Sequence, residues 1–452
     1  MITVLILYSR ALPEADYGRY TAVWVRLGIV GTLAYAGIPL LLLSIPAQQV
    51  KYWTQSLHRR QKLLGFVWLA IFSAVFAWMQ WRYSRVLPVL SAALVILYAG
   101  TSVLESALIV SRQQRALGWG GMAYAACYAA LHWLALQEAY SLNALLTYVV
   151  VLQAARLLWY TWMTRRSYGP VEPEPLPDPT RARRYWLHSG LYDLSINVAR
   201  FADKAAVSFL LAAAISAVYF NGSQEVPFIP LVMGAVGNAV LVELAKKQWP
   251  AGDAAKLVRD AARIQTTIVL PVFFFLFFFR EEIFEALFDG KYAASVPVFA
   301  AALLVLPLRS YHFTVLLEAR QEGRIINTGA LLDIVLTLVL FFPLYKIFGL
   351  PGIALAPVIS TWVQMGFYVI KTAKVYEISA GALFPLQHWL VYGAIFGALL
   401  WSAKAIGTLI PDGPTRLLLG AGIAAAAGSV ALLLEIRRYK KVYGQDRTHP
   451  PR

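Results

Sequence analysis

The sequence predicts an all-α membrane protein that crosses the bilayer many times. The chain has 452 residues, of which 59% are hydrophobic and only 14% are charged. A soluble protein of this composition could not cover its surface with polar groups. Apolar segments long enough to cross the bilayer, which takes about 20 residues each, recur along the chain with short connections between them.

Thirteen apolar segments follow one another, five before and eight after a proline-rich stretch. They cover residues 20–45, 63–81, 86–110, 118–136, 142–163, 186–211, 219–245, 264–279, 293–316, 330–345, 353–370, 389–410 and 417–436. Residues 1–8 add an apolar stub that would rise only about 12 Å, too short to span. We therefore expect 13 to 14 helices, with the first truncated or its start lying upstream. A signal peptide is not expected, because the stub has no charged leader or cleavage site.

The proline-rich stretch divides the chain into two predicted helix bundles. Residues 164–184 contain five prolines and a basic run, which favours an extended, polar linker. Paired halves around such a linker are typical of transporters. We expect an N-terminal bundle at 1–163 and a C-terminal bundle at 185–375. Two additional helices are expected at 376–440 and a tail at 441–452.

The positions of the cationic residues predict the orientation in the membrane. If the connections alternate across the bilayer, 26 of the 40 lysines and arginines lie on one side, together with the linker and the C-terminus. Positive charge is held on the cytoplasmic side of membrane proteins, so the linker and tail are expected in the cytoplasm and the chain in the cytoplasmic membrane. This bias explains most of the net charge of +16 without a nucleic-acid partner.

Several kinds of chemistry are disfavoured by the sequence. There is one cysteine, the six histidines are scattered and no phosphate-binding G-x-x-x-x-G-K-[S/T] loop is present, so no metal, cofactor or direct use of ATP is expected. The connections predicted outside are short, and the longest, 280–291, offers no room for a catalytic domain. An enzyme, such as a membrane sugar polymerase, is therefore disfavoured.

Polar residues recur on one face of the segment at 186–211. They follow one another at steps of four, three, four and four, and we call them the polar stripe: Asp193, Asn197, Arg200, Lys204 and Ser208. That spacing places them on one side of a helix. A cation at the centre of a membrane helix costs at least about 2.5 kcal/mol in lipid, so the stripe is expected to face a watery cavity or a partner. It predicts the wall of a pathway for an anion.

An internal salt bridge is the alternative explanation of the two cations in the stripe. Asp193 lies two turns from Arg200, whereas Asp203 is adjacent to Lys204 in sequence and is expected to point elsewhere. Glu105 lies near the end of its segment and is expected to be a loop anchor. Arg200 and Lys204 thus have a structural as well as a functional interpretation.

Four short motifs stand in order along the chain. They are SRALPEADYGRY at 9–20, RFADK at 200–204, ALFDGKYAASVPVF at 286–299, and Gly323-Arg followed by FGLPGIALA at 348–356. Together they resemble the polysaccharide flippase family, the O-antigen and exopolysaccharide translocases of the multidrug/oligosaccharidyl-lipid/polysaccharide exporter superfamily. Each is short, but their order covers nearly the whole chain. The chain departs from the family in its missing helix start, in Lys204 where arginine is commoner and in Asp333 where a neutral residue is usual.

The resemblance implies two six-helix bundles with pseudo-twofold symmetry, two additional C-terminal helices and alternating access. It also implies a substrate, a polyprenyl-pyrophosphate-linked oligosaccharide, moved between leaflets for surface polysaccharide biosynthesis. Membrane lipids, H⁺ or Na⁺, and glycan polymerase and export proteins are the other partners expected.

The implied substrate gives roles to individual residues. Guanidinium binds phosphate oxygens as a fork, so Arg200 is the first candidate for the pyrophosphate, with Lys204, Asn197, Arg26 and Arg309 as further substrate contacts. For Arg26 and Arg309 the alternatives are a bond to a backbone carbonyl or snorkelling. Coupling to an ion gradient needs a carboxylate in the membrane. The two candidates are Asp193 and Asp333.

Three other functions stay open at this point. A multidrug exporter of the same superfamily would share the fold, although it would favour carboxylates over the cationic stripe. A flippase for the peptidoglycan lipid precursor would handle a chemically similar substrate. A membrane sugar polymerase is disfavoured by its need for a larger outer loop.

Overall fold

The computed structural model describes residues 2–137, 140–226, 228–245, 249–410 and 412–443. Within these ranges the chain is helical and contains no strand. It divides into two compact units, Met1–Phe220 and Asn221–Arg452. The bundle boundaries expected at the linker stay a prediction. The structure shows that α-helix continues into both ends of the predicted linker, so its extended part is shorter.

The first unit contains nine helices and most of a tenth. They are α1 (Ile2–Ala11), α2 (Glu14–Tyr35), α3 (Ile38–Leu43), α4 (Ala47–Ser56), α5 (Arg59–Ser84), α6 (Pro88–Val110), α7 (Gln114–Gln137), α8 (Leu142–Tyr168), α9 (Pro179–Leu210) and α10 (Ala213–Gly222). Proline suits the first position of α9 because the amide it lacks would have no helical partner there.

The second unit begins with the last two residues of α10, and its last helix is the long α20. Its helices are α11 (Phe228–Ala245), α12 (Ala251–Phe278), α13 (Arg280–Phe288), α14 (Val296–Leu303), α15 (Val315–Ala319), α16 (Gly323–Phe348), α17 (Leu350–Tyr376), α18 (Ala380–Leu383), α19 (Leu386–Gly407) and α20 (Gly413–Tyr443). Two short 3₁₀ helices, Ala293–Ser295 and Leu306–Ser310, lie on either side of α14.

Eight of the helices in the described ranges are long and apolar enough to cross a membrane. They are α5, α6, α8, α12, α16, α17, α19 and α20. The predicted all-α polytopic fold is therefore confirmed. Three more helices, α2, α7 and α9, have 22, 24 and 32 residues but fall outside this set. Helices α2 and α9 contain several charged residues, which lowers their hydropathy.

Two of the predicted continuous segments are broken by backbone that leaves the helix. The segment 20–45 ends its first helix at Tyr35, where Ala36 and Gly37 both adopt positive φ, 53° and 68°. The segment 293–316 is split around the 3₁₀ helix Leu306–Ser310, which has Pro307 in its first turn. Proline has no amide to donate, so it favours a new helix start over continuation.

Helix α2 packs closely against α9 and runs antiparallel to it, and it approaches the first residue of α10. A Cβ atom added to Gly18 would lie 1.9 Å from the Ala213 carbonyl oxygen, and one added to Gly37 would lie 2.4 Å from the Gly190 Cα. Between these two points, Gly28 lies under the ring of Phe201. Glycine is needed where backbones approach this closely. This contact fixes the surface on which the polar stripe lies.

In the second unit, α12 packs against α19 and α20 through small residues and ion pairs. Gly428 of α20 lies against the Thr267 carbonyl, where an added Cβ would approach to 3.1 Å. The Arg263 guanidinium donates from Nε and Nη2 to both carboxylate oxygens of Glu435, at 3.2 and 3.4 Å. The ammonium of Lys404 also pairs with Glu282. These contacts tie the two C-terminal helices to the second unit.

Candidate functional site

The polar stripe lies on one continuous helix, because α9 runs unbroken from Pro179 to Leu210. Arg200 is exposed, and its guanidinium carbon lies 5.7 Å from the ring centroid of Phe201. Phe201 in turn covers Gly28 of α2. The α2–α9 contact thus holds the backbone of Arg200 in place, while its guanidinium remains accessible.

Asp193 and Asn197 form the next part of the stripe. The Asn197 side-chain amide donates to the Asp193 carbonyl at 2.9 Å and to its carboxylate at 3.1 Å. The hydroxyl of Tyr35, at the end of α2, faces the same carboxylate. Tyr98 of α6 is close enough to interact electrostatically with Asp193 and with Arg200. The structure therefore brings three predicted site residues together around two tyrosines.

Lys204 has an ion-pair partner that differs from the expectation. Its ammonium lies 3.7 Å from a carboxylate oxygen of Asp203, so the expectation that Asp203 points elsewhere is wrong. The four-carbon stem of lysine is long enough to reach around the helix to its neighbour. The same Asp203 oxygen accepts a hydrogen bond of 2.5 Å from the hydroxyl of Tyr219, a fully buried residue of α10. Asp203 therefore ties α9 to α10.

Arg26 of α2 is buried, with 2% of its surface exposed. It donates to the Ser208 hydroxyl at 3.1 Å and to the Ser208 carbonyl at 2.6 Å. It also donates to Gln80 at 3.4 Å and to Ser84 at 3.0 Å, both on α5. Its guanidinium carbon lies 4.6 Å from the ring centroid of Phe209. In this conformation Arg26 joins α2, α5 and α9.

Arg309 and Asp333 belong to the second unit. Arg309 was expected well inside a long helix, but it lies in the 3₁₀ helix Leu306–Ser310 because the segment is broken there. The Asp333 carboxylate accepts from Ser360 at 2.5 Å and from Thr361 at 3.4 Å, both on α17. It also interacts electrostatically with Arg309. The two predicted residues of this unit thus lie near each other.

The sequence analysis did not single out Arg156, which lies at the middle of α8. Its Nη2 donates to the Glu105 carboxylate of α6 at 3.0 Å, and the ring centroid of Tyr124 of α7 lies 4.7 Å from its guanidinium carbon. The expected role of Glu105 as a loop anchor is therefore wrong, because its partner is a helix residue. A weaker signal was present in the sequence, since a cation and a carboxylate within two different apolar segments can pair.

The described ranges contain no group of three or more histidine, cysteine, aspartate or glutamate side chains that could hold a metal ion. The chemistry that the polar stripe offers is recognition by charge and hydrogen bonds. The exposed guanidinium of Arg200 is a group that can form charge-assisted hydrogen bonds with an anion.

Comparisons with known proteins identify the fold. No family model matches the chain, and no curated protein matches it. It is similar to the solved structure of the lipid II flippase MurJ in an inward closed conformation, with a TM-score of 0.63 and 12% identity over 95% of each chain. It is also similar to an inward-facing multidrug resistance transporter of the MATE family of the MOP superfamily, with a TM-score of 0.59 and 14% identity over 83% of this chain and 93% of that one.

Identities this low show a shared fold. The chain is thus a multi-pass membrane protein with the fold of the MOP-superfamily transporters. The resemblance to the wider superfamily is confirmed at the level of the fold. Membership of the polysaccharide flippase family stays a prediction.

Proposed function

We propose that this protein moves a polyprenyl-pyrophosphate-linked oligosaccharide across the cytoplasmic membrane by alternating access, for the biosynthesis of cell-surface polysaccharide. The observation that carries the proposal is the position of Arg200. It is an exposed cation within α9, held by a helix that glycine contacts pack tightly against α2. An exposed guanidinium inside a membrane protein needs an anionic or aqueous surrounding.

The chemistry of pyrophosphate matches the groups near Arg200. Its fork can donate two parallel hydrogen bonds to phosphate oxygens. Asn197 can add an amide, and Lys204 one turn further can add a point charge when its contact with Asp203 loosens. Arg26 and Arg309 are proposed as contacts of other transport states. The fold's neighbours include a protein named for flipping lipid II, which supports a lipid-linked substrate.

Ion coupling is proposed at Asp193 and Asp333. Both are carboxylates within helices, and both accept hydrogen bonds from neutral donors, Asn197 in one case and Ser360 in the other. Such groups can exchange a proton or bind Na⁺ as their surroundings change. With the linker and C-terminus in the cytoplasm, the ion gradient would drive the transport cycle.

Two other transport functions share the fold. The same site distinguishes them from the proposed function. A flippase for the peptidoglycan lipid precursor is supported by the similarity to the lipid II flippase. A multidrug exporter is supported by the similarity to the MATE transporter, but the exposed guanidinium of Arg200 in the polar stripe disfavours a cationic drug. Of the three functions, we expect this protein to restore only the formation of surface polysaccharide.

The test is complementation in three bacterial backgrounds: one deficient in polysaccharide flipping, one depleted of its lipid II flippase, and one sensitive to cationic drugs. Wild type, Arg200→Ala and Arg200→Lys are compared at matched membrane levels. Arg82→Ala is the matched control, because Arg82 is also exposed and its guanidinium carbon lies 5.6 Å from the ring centroid of the next residue, Tyr83, in the last turn of α5.

We expect wild type and Arg82→Ala to restore surface polysaccharide and both Arg200 variants to lose it by at least about tenfold, the effect of a lost charge-assisted bond. Normal transport by Arg200→Ala would show that the stripe is structural. Rescue of growth only in the lipid II background would assign the peptidoglycan precursor instead.

A further inference from the structure

The contact between α6, α7 and α8 holds a second group of charged and aromatic side chains, separate from the polar stripe. Arg156 lies at the middle of α8, a helix of 27 residues that is apolar enough to span the membrane. Glu105 lies on α6, which is also apolar enough to span. Charges at such positions are expensive in lipid and are by default functional.

The guanidinium of Arg156 lies close to two aromatic rings, and only two of its three nitrogens donate hydrogen bonds within the described part of the chain. Its Nε and Nη2 both donate to the Tyr160 hydroxyl, at 3.1 and 2.9 Å, and Nη2 also donates to Glu105. Its carbon lies 4.7 Å from the ring centroid of Tyr124 and 5.0 Å from that of Tyr160. Nη1 has no hydrogen-bond partner among the residues that the structure describes. One donor edge of the fork therefore remains for a ligand.

The accessible surface of the pair is substantial for groups in spanning helices. The Glu105 side chain is 43% exposed and that of Arg156 is 22% exposed. Since a lipid-facing ion pair would carry a large desolvation cost, these atoms are expected to face water or a polar ligand. Tyr98, two turns before Glu105 on α6, interacts electrostatically with Glu105, Asp193 and Arg200. The group thus lies beside the polar stripe.

Charge balance decides which ligand suits this group. Glu105 at 3.0 Å neutralises Arg156, so the pair offers little net attraction for a second phosphate. It offers instead a carboxylate acceptor and a guanidinium donor side by side, with aromatic rings that can cover the apolar face of a sugar. A neutral polyol, with adjacent hydroxyls that both donate and accept, matches this arrangement.

We infer that Glu105, Arg156, Tyr124 and Tyr160 form a subsite for the sugar hydroxyls of the substrate, next to the position where Arg200 holds its pyrophosphate. This inference rests on the proposed function and deepens it. In this arrangement α6, α7 and α8 bind the glycan, and α9 binds the pyrophosphate.

The test measures binding of two probes to the purified full-length protein in nanodiscs. One probe is farnesyl pyrophosphate and the other is the same lipid carrying N-acetylglucosamine on the pyrophosphate. The test variant is Glu105→Leu combined with Arg156→Met, which removes both charges together and leaves neither one unpaired. The matched control is Thr101→Val combined with Gln153→Leu, because these buried residues also form a side-chain hydrogen bond between α6 and α8, at 2.8 Å.

We expect the test variant to bind the sugar probe about tenfold more weakly than wild type, as for one or two lost hydrogen bonds. Its affinity for farnesyl pyrophosphate should stay within about twofold, below the effect of one hydrogen bond. Tyr124→Leu should give the same selective loss to a smaller extent, and the control should change neither affinity. Arg200→Ala should weaken both probes, and melting curves confirm that each variant is folded.

Three outcomes would overturn the inference. They are equal affinity of wild type for the two probes, equal weakening of both probes by the test variant, and no effect of a folded test variant on either probe. Failure of wild type to bind either probe would instead contradict the proposed function itself, so the two failures are distinguishable.

Discussion

Arg26 and Arg200 lie on the same helix contact and are used in opposite ways. Arg26 is 2% exposed, and four hydrogen bonds tie it to three residues of α5 and α9. Arg200 is exposed, two turns before Ser208 on the helix that Arg26 binds. Both are arginines in apolar segments of the sequence, so residue type and segment do not distinguish them. The difference is burial, since Arg26 is enclosed by α5 and α9 whereas Arg200 is exposed.

One polar face of α9 makes packing contacts at one end, and we propose that it binds a ligand at the other. Ser208 belongs to the polar stripe by its spacing, but its hydroxyl and carbonyl bind Arg26. Around Arg200 the stripe faces Tyr98 instead. The free energy of unfolding of purified variants tests this difference between the two ends of the stripe, from the largest expected loss to the smallest.

Replacing Arg26 should give the largest loss of stability. Arg26→Met removes the donors to Ser208, Gln80 and Ser84 and leaves their buried acceptors unpaired, so we expect a loss of about 3 kcal/mol or more in the free energy of unfolding. Arg26→Lys keeps the charge without the fork and should recover part of it. Denaturant unfolding in detergent measures both. Unchanged stability of Arg26→Met would show that the hydrogen bonds of Arg26 do not stabilise the fold.

A side chain at Gly37 should open the α2–α9 contact. Gly37 has a φ of 68°, and an added Cβ would lie 2.4 Å from the Gly190 Cα, so Gly37→Ala should cost about 2 to 3 kcal/mol through strain and overpacking. Gly65→Ala is the control, because no atom lies within 4 Å of its added Cβ. Alanine is the better helix former, so the control should be neutral or up to about 1 kcal/mol more stable. Equal effects of the two would mean that the close approach is not required.

The bond between Tyr219 and Asp203 should contribute an intermediate amount. Tyr219→Phe removes a buried hydroxyl that donates to Asp203 at 2.5 Å and should cost about 1 to 3 kcal/mol. Asp203→Ala removes the acceptor of that bond and also the ion-pair partner of Lys204. In a double-mutant cycle, the effects of the two changes should not add, since both remove the same bond. Additive effects would show that the two side chains act independently.

Arg200→Ala should have the smallest effect on stability. As an exposed residue it should change the free energy of unfolding by about 0.5 kcal/mol or less, although transport is lost. Differential scanning fluorimetry beside the transport assay compares the two properties. A loss as large as that of Arg26→Met would show that Arg200 stabilises the fold. Arg200 would then no longer be proposed as a substrate contact.

Part of the arrangement of the candidate site could be predicted from the sequence, and its function stays a prediction. The spacing of Asp193, Asn197 and Arg200 is a local property of one helix, and the structure keeps it, because α9 is continuous. The partners of those residues were not predictable in the same way. Tyr98 and Tyr35 come from α6 and α2, and no pattern within α9 points to them. Lys204 shows the limit most directly, since its neighbour Asp203 was expected to point away and instead forms its ion pair.

By itself, the sequence determined that the protein is helical, that it lies in a membrane and that one helix carries cations on a single face. These properties follow from composition and from a period of 3.6 residues, which short stretches of chain contain. The packed structure was needed to show that Arg26 donates hydrogen bonds to α5 and α9, that Glu105 pairs with Arg156 and that the helix breaks at Gly37. The physical reason is distance along the chain, since Arg26 and Ser208 are 182 residues apart and meet only when α2 and α9 pack together.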